Sequence, residues 1–247
     1  MSVLKGKTVL VTGASRGIGA AAAKAAYEAG ARVILHASAP SKAAEKAAKA
    51  AGGEAIFEDL SAPGAGARLM AAAVERAGRI DAVVNNAGIY IPSPLTGSDE
   101  DWATGWAETM AVNVQAPADI CRAAIAHFRE QGGGIVVNVA SRAGHRGDGP
   151  DHAAYAASKG AVLAMTKTYA RALSGENILF YAIAPGWVET RMAPKDIAAR
   201  AKAVNEIPLG RVTAPEEVAE MIVFCASGAC PSATGATFDI NGASYVR

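Results

Sequence analysis

The stretch Thr8-Val9-Leu10-Val11-Thr12-Gly13-Ala14-Ser15-Arg16-Gly17-Ile18-Gly19 decides the fold, and the alanine-rich segment 20–29 follows it directly. The apolar run predicts a buried strand, and the alanines predict a helix. Glycines let the backbone between these elements turn sharply and approach a pyrophosphate. The first turn of the helix adds free N–H groups and the positive end of its dipole. The stretch therefore predicts a phosphate-binding turn that suits a dinucleotide.

The glycine spacing sets a limit on this prediction. It is Gly-x-x-x-Gly-x-Gly, whereas the common dinucleotide fingerprint is Gly-x-Gly-x-x-Gly, so that motif does not apply directly. A glycine turn alone also serves as plain punctuation between a strand and a helix. Its position at the start of an alternating chain favours the dinucleotide site.

The same alternation recurs along the whole chain. Short β-branched runs predict strands at Thr8–Val11, Arg32–Leu35, Glu54–Phe57, Asp81–Asn85, Gly134–Val139, Ile178–Ala184 and Thr237–Ile240. Helical spacing lies between them at 17–29, 41–50, 64–77, 99–130, 152–173 and 215–226. Because parallel strands need a crossover, normally a right-handed helix, we expect a parallel sheet. The fold class is α/β, a Rossmann-like doubly wound sheet of about seven strands in a single domain, residues 1–247, with helices on both faces.

Composition excludes several classes of protein. Of 247 residues, 51% are hydrophobic and 19% are charged, which is typical of a globular chain. The 24 Lys and Arg against 23 Asp and Glu give a net charge of +1, too little to neutralise a run of phosphates. No apolar run approaches the ~20 residues that cross a bilayer, and Met1–Lys7 is too short and polar for a signal peptide. We expect a cytoplasmic protein that binds neither nucleic acid nor membrane.

The three cysteines predict no metal site. Cys121, Cys225 and Cys230 are odd in number, and the step between the last two matches neither a zinc pair nor a redox motif. We expect buried, inert thiols.

The end of the second strand bears on the choice of dinucleotide. It reads His36-Ala37-Ser38-Ala39, without the carboxylate that holds a ribose 2′-hydroxyl in the common fingerprint. Since an acid there would repel a 2′-phosphate, its absence favours NADP, with NAD as the alternative. Arg16 and Ser38 can supply a charge and a hydroxyl donor, or they are simply solvated loop residues.

Tyr155 and Lys159 stand four residues apart in a predicted helix, which puts both side chains on one face. A phenol with an ordinary pKa of ~10 is a poor base, but a nearby ammonium lowers that pKa. The pair can then exchange a proton with an alcohol or carbonyl oxygen. Ser141 follows a strand, where its hydroxyl can donate to a developing alkoxide, or it merely begins a loop. Asn113 lies in an apolar helical stretch, where a buried amide needs hydrogen-bond partners. It has either a role in the site or a purely structural role in bending the helix.

These motifs together resemble those of the short-chain dehydrogenase/reductase family, over nearly the whole chain. The resemblance runs from the turn 12–19 through Asn85-Asn86-Ala87-Gly88 and Tyr155-x-x-x-Lys159 to Pro185-Gly186 and Asp239-Ile240-Asn241-Gly242. Each motif is modest alone, but their order and spacing are specific. The resemblance implies an NAD(P)-dependent oxidoreductase that moves a hydride between nicotinamide and a carbonyl or secondary alcohol.

The resemblance also implies roles for single residues. Tyr155 would be the general acid/base, Ser141 would orient the substrate oxygen, and Asn113 would hold a water in a proton relay. Lys159 would lower the pKa of the tyrosine and hold the nicotinamide ribose. Besides Tyr155 and Lys159, the implied cofactor-binding residues are Gly13, Ser15, Arg16, Gly17, Ile18, Gly19, Ser38, Asp59, Leu60, Asn86, Ala87, Gly88, Pro185, Gly186, Val188 and Thr190. Asp59 can instead simply open the next helix.

The segment 142–152 after Ser141 is rich in charged and titratable groups. Arg146, His145 or His152 can bind a polar or anionic substrate there, or these residues are solvated charges or subunit contacts. The stretch 186–208 resembles the substrate lid of the family. Its Trp187, Met192 and Ile197 can supply an apolar wall.

Three functions remain open from the sequence. A carbonyl reductase or alcohol dehydrogenase explains both the cofactor residues and the catalytic set. A 3-oxoacyl thioester reductase would need a basic docking patch at the mouth of the site, for which Arg122 and Arg129 are candidates. A non-catalytic nucleotide-binding scaffold would have little need of a lysine-activated phenol. The resemblance further implies a homotetramer.

Overall fold

A parallel sheet forms the centre of the molecule. The structure, a computed structural model, describes residues 2–191 and 196–247. Within these residues the strands are β1 (Thr8–Val11), β2 (Arg32–Ala37), β3 (Glu54–Phe57), β4 (Ala82–Asn85), β5 (Gly134–Val139), β6 (Ile178–Pro185) and β7 (Thr237–Ile240). They form one seven-stranded sheet in the order β3-β2-β1-β4-β5-β6-β7, and each neighbouring pair is parallel. The predicted doubly wound α/β fold is confirmed.

Helices cover both faces of the sheet. They are α1 (Gly17–Glu28), α2 (Lys42–Ala50), α3 (Ala65–Ala77), α4 (Asp99–Met110), α5 (Ala116–Gln131), α6 (Ala143–Arg146), α7 (Ala153–Leu173), α8 (Ile197–Asn205) and α9 (Pro215–Ser227). Val9 and Val11 of β1 pack with α1 and α9 on one face. Leu10, between them, packs with α3 and α5 on the other. Because successive strand residues point to opposite faces, the apolar strands are buried from both sides.

The predicted long helix 99–130 is interrupted. A π-helical turn, Ala111–Gln115, joins α4 to α5. Pro117 in the first turn of α5 explains it, because proline lacks an N–H and its ring crowds the carbonyl four residues back, that of Asn113. The Ala116 N–H reaches back five residues to Ala111. The widened turn places Asn113 in the interior.

The charged segment after Ser141 and the stretch 186–208 each contain a short helix. The helix α6 lies in the charged segment after Ser141, and α8 lies within the stretch 186–208. Residues 192–195 of that stretch lie outside the described part of the chain. The expectation of buried thiols holds for Cys121 and Cys225 but is wrong for Cys230, which is exposed beyond the end of α9.

The strand order fixes where a ligand can sit. The chain builds outward from β1 through β2 to β3, then crosses back to β4 on the other side of β1. In a doubly wound sheet this reversal opens a crevice at the carboxyl ends of the strands. In the part of the chain that is described, no helix is long and apolar enough to span a membrane. The same part contains no group of three His, Cys, Asp or Glu residues that could hold a metal ion.

Candidate active site

The glycine turn between β1 and α1 lies against the end of β4. Gly13 has φ +62°, and a Cβ there would lie 2.8 Å from the Cα of Ala87. A Cβ on Gly19 would lie 2.5 Å from both the Gly13 carbonyl oxygen and the Asn86 Nδ2. These spacings are shorter than side chains tolerate, so the turn requires glycine at both positions. The result is bare backbone at the start of a helix, the arrangement that receives phosphate.

Thr12 and Asn86 fix the turn to the neighbouring strand end. The Thr12 hydroxyl oxygen accepts the N–H groups of Asn86 and Ala87, each at 2.9 Å. The Asn86 amide donates in return to the carbonyl oxygens of Thr12 at 2.9 Å and Gly13 at 3.2 Å. These reciprocal bonds satisfy backbone groups that would otherwise be orphaned at the ends of two parallel strands.

His36, at the end of β2, supports the turn from its other side. The Gly13 N–H donates to His36 Nδ1 at 3.2 Å, and His36 Nε2 lies 2.8 Å from the carbonyl oxygen of Glu58. This pairing requires the neutral ring with its proton on Nε2. Burial lowers the pKa of His36 below its ordinary value, which outweighs the opposing influence of Glu58. His36 therefore joins β1, β2 and the segment after β3 while remaining uncharged.

Replacement of His36 by Gln is expected to reduce the loss of stability in acid. Because the pKa of His36 is lowered in the fold, the unfolded chain takes up the proton first, and stability falls as pH drops below about 6.5. We expect the free energy of unfolding of the wild type, relative to His36→Gln, to fall by on the order of 1 kcal/mol between pH ~7.5 and ~5. Urea unfolding of both proteins at the two pH values measures this difference. Free energies of unfolding that change equally with pH in the wild type and in His36→Gln would contradict the lowered pKa of His36.

One crevice of about 810 Å³ extends from the glycine turn across the carboxyl ends of the strands. This volume is in the range of cofactor and ligand sites. Most of the residues predicted for a cofactor line it: Gly13, Ser15, Arg16, Gly17, Ile18, Ser38, Asp59, Leu60, Asn86, Ala87, Gly88, Tyr155, Lys159, Pro185, Gly186, Val188 and Thr190. Gly19 does not line the crevice; it packs under the turn instead. The bare glycine turn and the size of the crevice fit a dinucleotide.

The adenosine end of the crevice is open to solvent. Arg16 and Ser38 are both exposed there, and both line the crevice. The Asp59 carboxylate accepts the N–H and the hydroxyl of Ser61, at 3.0 and 2.8 Å, which lowers the pKa of Asp59. Asp59 does not open the next helix, since α3 begins only at Ala65. Its carboxylate stabilises the turn that brings Leu60 to the crevice.

Tyr155 and Ser141 meet at the other end of the crevice. The Ser141 hydroxyl hydrogen-bonds the Tyr155 phenol, and Ser141 Oγ also accepts the Ala143 N–H at 3.1 Å. Burial raises the pKa of Tyr155 to about 12, although the Ser141 contact opposes the shift. The phenol is therefore protonated at neutral pH in this structure.

Lys159 lies one turn further along α7, on the same side. Its Nζ is 5.7 Å from the centre of the Tyr155 ring and donates to the Val139 carbonyl oxygen at 2.9 Å. Burial lowers the pKa of Lys159 to about 8. The expectation that the Lys159 ammonium lowers the pKa of Tyr155 is wrong: burial raises this pKa, and Lys159 is not among the groups that shift it. Desolvation dominates both groups, because burial opposes each charged form.

Asn113 stands behind this pair instead of lining the crevice. Its Oδ1 accepts the Ile89 N–H at 2.8 Å, and its Nδ2 donates to the Ile89 carbonyl oxygen at 3.0 Å and to Ser158 Oγ at 3.1 Å. A Cβ on Gly88 would lie 3.3 Å from Asn113 Oδ1 and 3.4 Å from Lys159 Nζ. The π turn thus places the Asn113 amide where it binds the backbone of Ile89, in the loop that follows β4 and lies beside Lys159.

The predicted substrate residues divide into two groups. Trp187 and Arg146 line the crevice near Ser141 and Tyr155. His145 does not: its ring stacks on Tyr245 near the C-terminus, with ring centres 5.9 Å apart. The placement of His145 beside a substrate is therefore wrong, because α6 turns its side chain away from the crevice.

Tyr90 is a lining residue that the motifs did not indicate. Its ring stacks on His152 at 4.0 Å and meets the Tyr155 ring edge-on at 4.8 Å. Burial and the neighbouring Asp148, which accepts a hydrogen bond from the phenol, raise the pKa of Tyr90 to about 12. Tyr90 thus lines the crevice directly beside the Tyr155 ring.

Thr12 and His36 were also missed as functional residues. Thr12 directly precedes the glycine turn, so its place in the motif was available as a signal. His36 carried no such signal, because its role depends on three strand ends that meet only in the folded sheet.

Comparison with known proteins gives matches over nearly the whole chain. A family profile described as enoyl-(acyl carrier protein) reductase matches residues 13–243. The 3-oxoacyl-(acyl-carrier-protein) reductase FabG of Thermotoga maritima is 36% identical over 245 residues, covering 97% of this chain and 98% of the relative. The 3beta-hydroxysteroid dehydrogenase 1 of Eggerthella lenta is 36% identical over 248 residues, covering 97% and 94%.

A solved structure repeats the fold. The 3-oxoacyl (acyl-carrier-protein) reductase of Agrobacterium tumefaciens C58, crystallised with NADP bound, superposes with a TM-score of 0.89 at 34% identity, covering 97% of this chain and 94% of that one.

Proposed function

This chain belongs to the short-chain dehydrogenase/reductase family, and we propose that it is an NADP(H)-dependent oxidoreductase acting on a carbonyl or secondary alcohol. One observation carries the proposal. A hydroxyl pair, Ser141 and Tyr155, and a buried lysine stand at the far end of a crevice that begins at a bare glycine turn. One continuous crevice joins the glycine turn to the two hydroxyl groups, as the binding of an extended dinucleotide and a small substrate requires.

The proposed chemistry uses the two hydroxyl groups together. The Tyr155 phenol donates a proton to the substrate oxygen as the carbonyl is reduced, while the Ser141 hydroxyl donates to the same oxygen and stabilises its developing charge. The bound nicotinamide supplies the hydride. A protonated phenol, which the raised pKa of Tyr155 favours, is the form that reduction needs. Oxidation of an alcohol needs the opposite form, in which the phenol has lost its proton.

Lys159 and Asn113 support this exchange. Below a pH of about 8 the Lys159 side chain is an ammonium, suited to donate hydrogen bonds to the ribose hydroxyls of the nicotinamide half. Asn113 holds the Ile89 backbone through its N–H and its carbonyl oxygen, one residue beyond Gly88. We assign Asn113 a positioning role, with the proton relay continuing through the hydroxyls and the lysine.

The cofactor preference follows from charge. Arg16 and Ser38 stand exposed at the adenosine end, where a guanidinium and a hydroxyl can hold a 2′-phosphate. Asp59 is hydrogen-bonded to Ser61, and neither the buried His36 nor Ser38 at the end of β2 carries a carboxylate. NADP bound to the Agrobacterium tumefaciens relative agrees with this assignment.

Tyr155→Phe is expected to abolish turnover while leaving cofactor binding intact. Removal of a positioned acid/base costs about 10²-fold to 10⁴-fold in rate. The dissociation constant of NADPH should stay within about twofold, because the ring remains in place. Ketone reduction and fluorescence titration measure the two quantities. Tyr169→Phe, on the same helix but packed against Phe180, is the matched control and should keep its activity. Near-normal turnover in Tyr155→Phe would show that Tyr155 is not the general acid/base.

The two reaction directions should respond differently to pH. Because burial raises the pKa of Tyr155 to about 12, the phenol keeps its proton throughout the range below pH about 8. We expect kcat/KM for reduction to stay level from pH ~6 to ~8, and that for alcohol oxidation to rise up to tenfold per pH unit. Steady-state kinetics in both directions test this. Because reduction takes up a proton, the ratio of the two kcat/KM values changes about tenfold per pH unit whichever group titrates. The result that would exclude a protonated Tyr155 is therefore a kcat/KM for reduction that falls over this range while that for oxidation stays level.

Arg16→Gln should weaken NADPH binding and spare NADH. Loss of a guanidinium from a phosphate contact costs about tenfold in affinity. Ser38→Asp should go further and reverse the preference, because its carboxylate repels a 2′-phosphate and accepts a 2′-hydroxyl. Lys24→Gln, which removes an exposed charge from α1, is the control. Equal losses for NADPH and NADH in Arg16→Gln would refute a 2′-phosphate contact.

A 3-oxoacyl thioester reductase is the second candidate, because FabG of Thermotoga maritima is among the similar relatives. The candidate docking residues do not favour it. Arg122 and Arg129 lie on α5 in a separate surface groove, and Arg129 is paired with Glu176 at 2.6 Å. Comparison of a thioester with a simple ketone as substrate decides between the two functions.

We further propose that residues 1–247 form one domain, with 186–208 covering the substrate. The base of that stretch is held by pairing of Val188 and Glu189 with Thr213. A homotetramer in the cytoplasm is the assembly that the family resemblance implies, and light scattering measures its size.

A further inference from the structure

Arg142, the residue after Ser141, is a buried cation at the substrate end of the crevice. Its N–H donates to the Pro185 carbonyl oxygen at 3.0 Å, which fixes the backbone beside Ser141. Its side chain is only 6% exposed, yet Arg142 lines the crevice together with Arg146. The buried Nη1 has no hydrogen-bond partner among the described residues. Since arginine stays charged in proteins, an unpaired guanidinium edge in a buried place is costly unless a ligand pairs with it.

Glu206 compensates this charge incompletely. A single oxygen, Glu206 Oε2, stands 3.7 Å from Arg142 Nη2 and 3.5 Å from Arg146 Nη2. Elsewhere in the chain, exposed arginines make closer pairs, such as Arg129 with Glu176 at 2.6 Å. Two guanidinium groups thus share one carboxylate oxygen at long distance. A carboxylate in the best geometry would accept two parallel hydrogen bonds from a single guanidinium group.

The other acid near the pair is already occupied. Asp148 accepts hydrogen bonds from the Tyr90 phenol and, at 2.8 Å, from the Gly149 N–H. Neither arginine lies within ion-pair distance of Asp148 in the described structure. Burial, followed by repulsion from Arg146, lowers the pKa of Arg142, and both acids only partly oppose this. The substrate end of the crevice therefore has unused capacity for an anion.

We propose that Arg142 and Arg146 form a carboxylate-binding subsite, and that the substrate is an oxo acid or the corresponding hydroxy acid. This assignment rests on the proposed function, since it places the carbonyl at Ser141 and Tyr155. The substrate carboxylate takes the position between the two guanidinium groups, and Glu206 yields to it. Glu206, just beyond the end of α8, is exposed enough to rotate into solvent. Glu206 Oε2 lies 3.7 and 3.5 Å from the two guanidinium groups, and a substrate carboxylate in the same place can approach both more closely.

A homologous series of oxo acids, each paired with its uncharged methyl ester, tests the subsite. With NADPH as reductant, we expect kcat/KM of the wild type to favour the acid over its ester by about 10-fold to 100-fold for the best chain length. Arg142→Gln and Arg146→Gln should lose this preference mainly through KM for the acid. Their activity on esters should change much less, because the subsite does not contact an ester charge.

Two further variants separate binding from structure. Glu206→Gln should lower KM for oxo acids, because it removes the competing carboxylate, whereas a merely structural Glu206 would leave the acid-to-ester ratio unchanged. Arg129→Gln removes an arginine outside the crevice and should keep that ratio. Should Arg142→Gln fail to fold, Arg146→Gln and Glu206→Gln still decide the question.

A binding measurement covers the case in which no compound is reduced. Saturated carboxylates and their amides are titrated into the protein with NADPH, and the nicotinamide fluorescence is followed. Preferential binding of carboxylates that Arg146→Gln abolishes supports the subsite. Equal binding of both, or an acid-to-ester ratio that neither arginine variant changes, overturns it. Reduction of esters without acid preference defeats this inference alone, whereas carboxylate binding without any turnover defeats the proposed function.

Discussion

The close approach of β1 and β4 at their carboxyl ends is the constraint on which the site depends. The two strands are neighbours at the point where the strand order reverses, so their ends define the crevice. Thr12 and Asn86 hold those ends by reciprocal hydrogen bonds. That lock leaves no room for a Cβ at Gly13 or Gly19. Backbone N–H groups are thereby left bare for phosphate, and every other functional side chain is placed relative to this fixed edge.

At the opposite end of the crevice, burial acts on the ionisable groups of both Tyr155 and Lys159. Burial raises the pKa of Tyr155 to about 12 and lowers that of Lys159 to about 8, so both charged forms are disfavoured. The site therefore carries a desolvation cost at both groups. Its charges are best used when a substrate oxygen or a cofactor ribose contacts them, which is how preorganised groups favour a transition state over a ground state.

Local signals predicted most of this arrangement, and long-range contacts account for what they did not predict. Alternating apolar runs and helical spacing were sufficient for the sheet, since they act within one element. The π turn at Asn113 had a readable cause in Pro117, four residues later. The direction of His145 had none, because it depends on stacking against Tyr245, a hundred positions away in the sequence. The raised pKa of Tyr155 likewise depends on burial by several elements at once.

The charged segment after Ser141 shows why burial decides the meaning of a charge. Its residues look alike in sequence, yet His145 packs against the C-terminal segment, Asp148 is bound to Tyr90, and Arg142 is enclosed. A solvated arginine gains little from an ion pair, whereas an enclosed one gains much from a well-placed anion and loses much without it. The loose contact with Glu206 leaves that gain unrealised within the chain. Selection among carbonyl compounds can therefore act through Arg142, while the proton transfer itself is left to Tyr155.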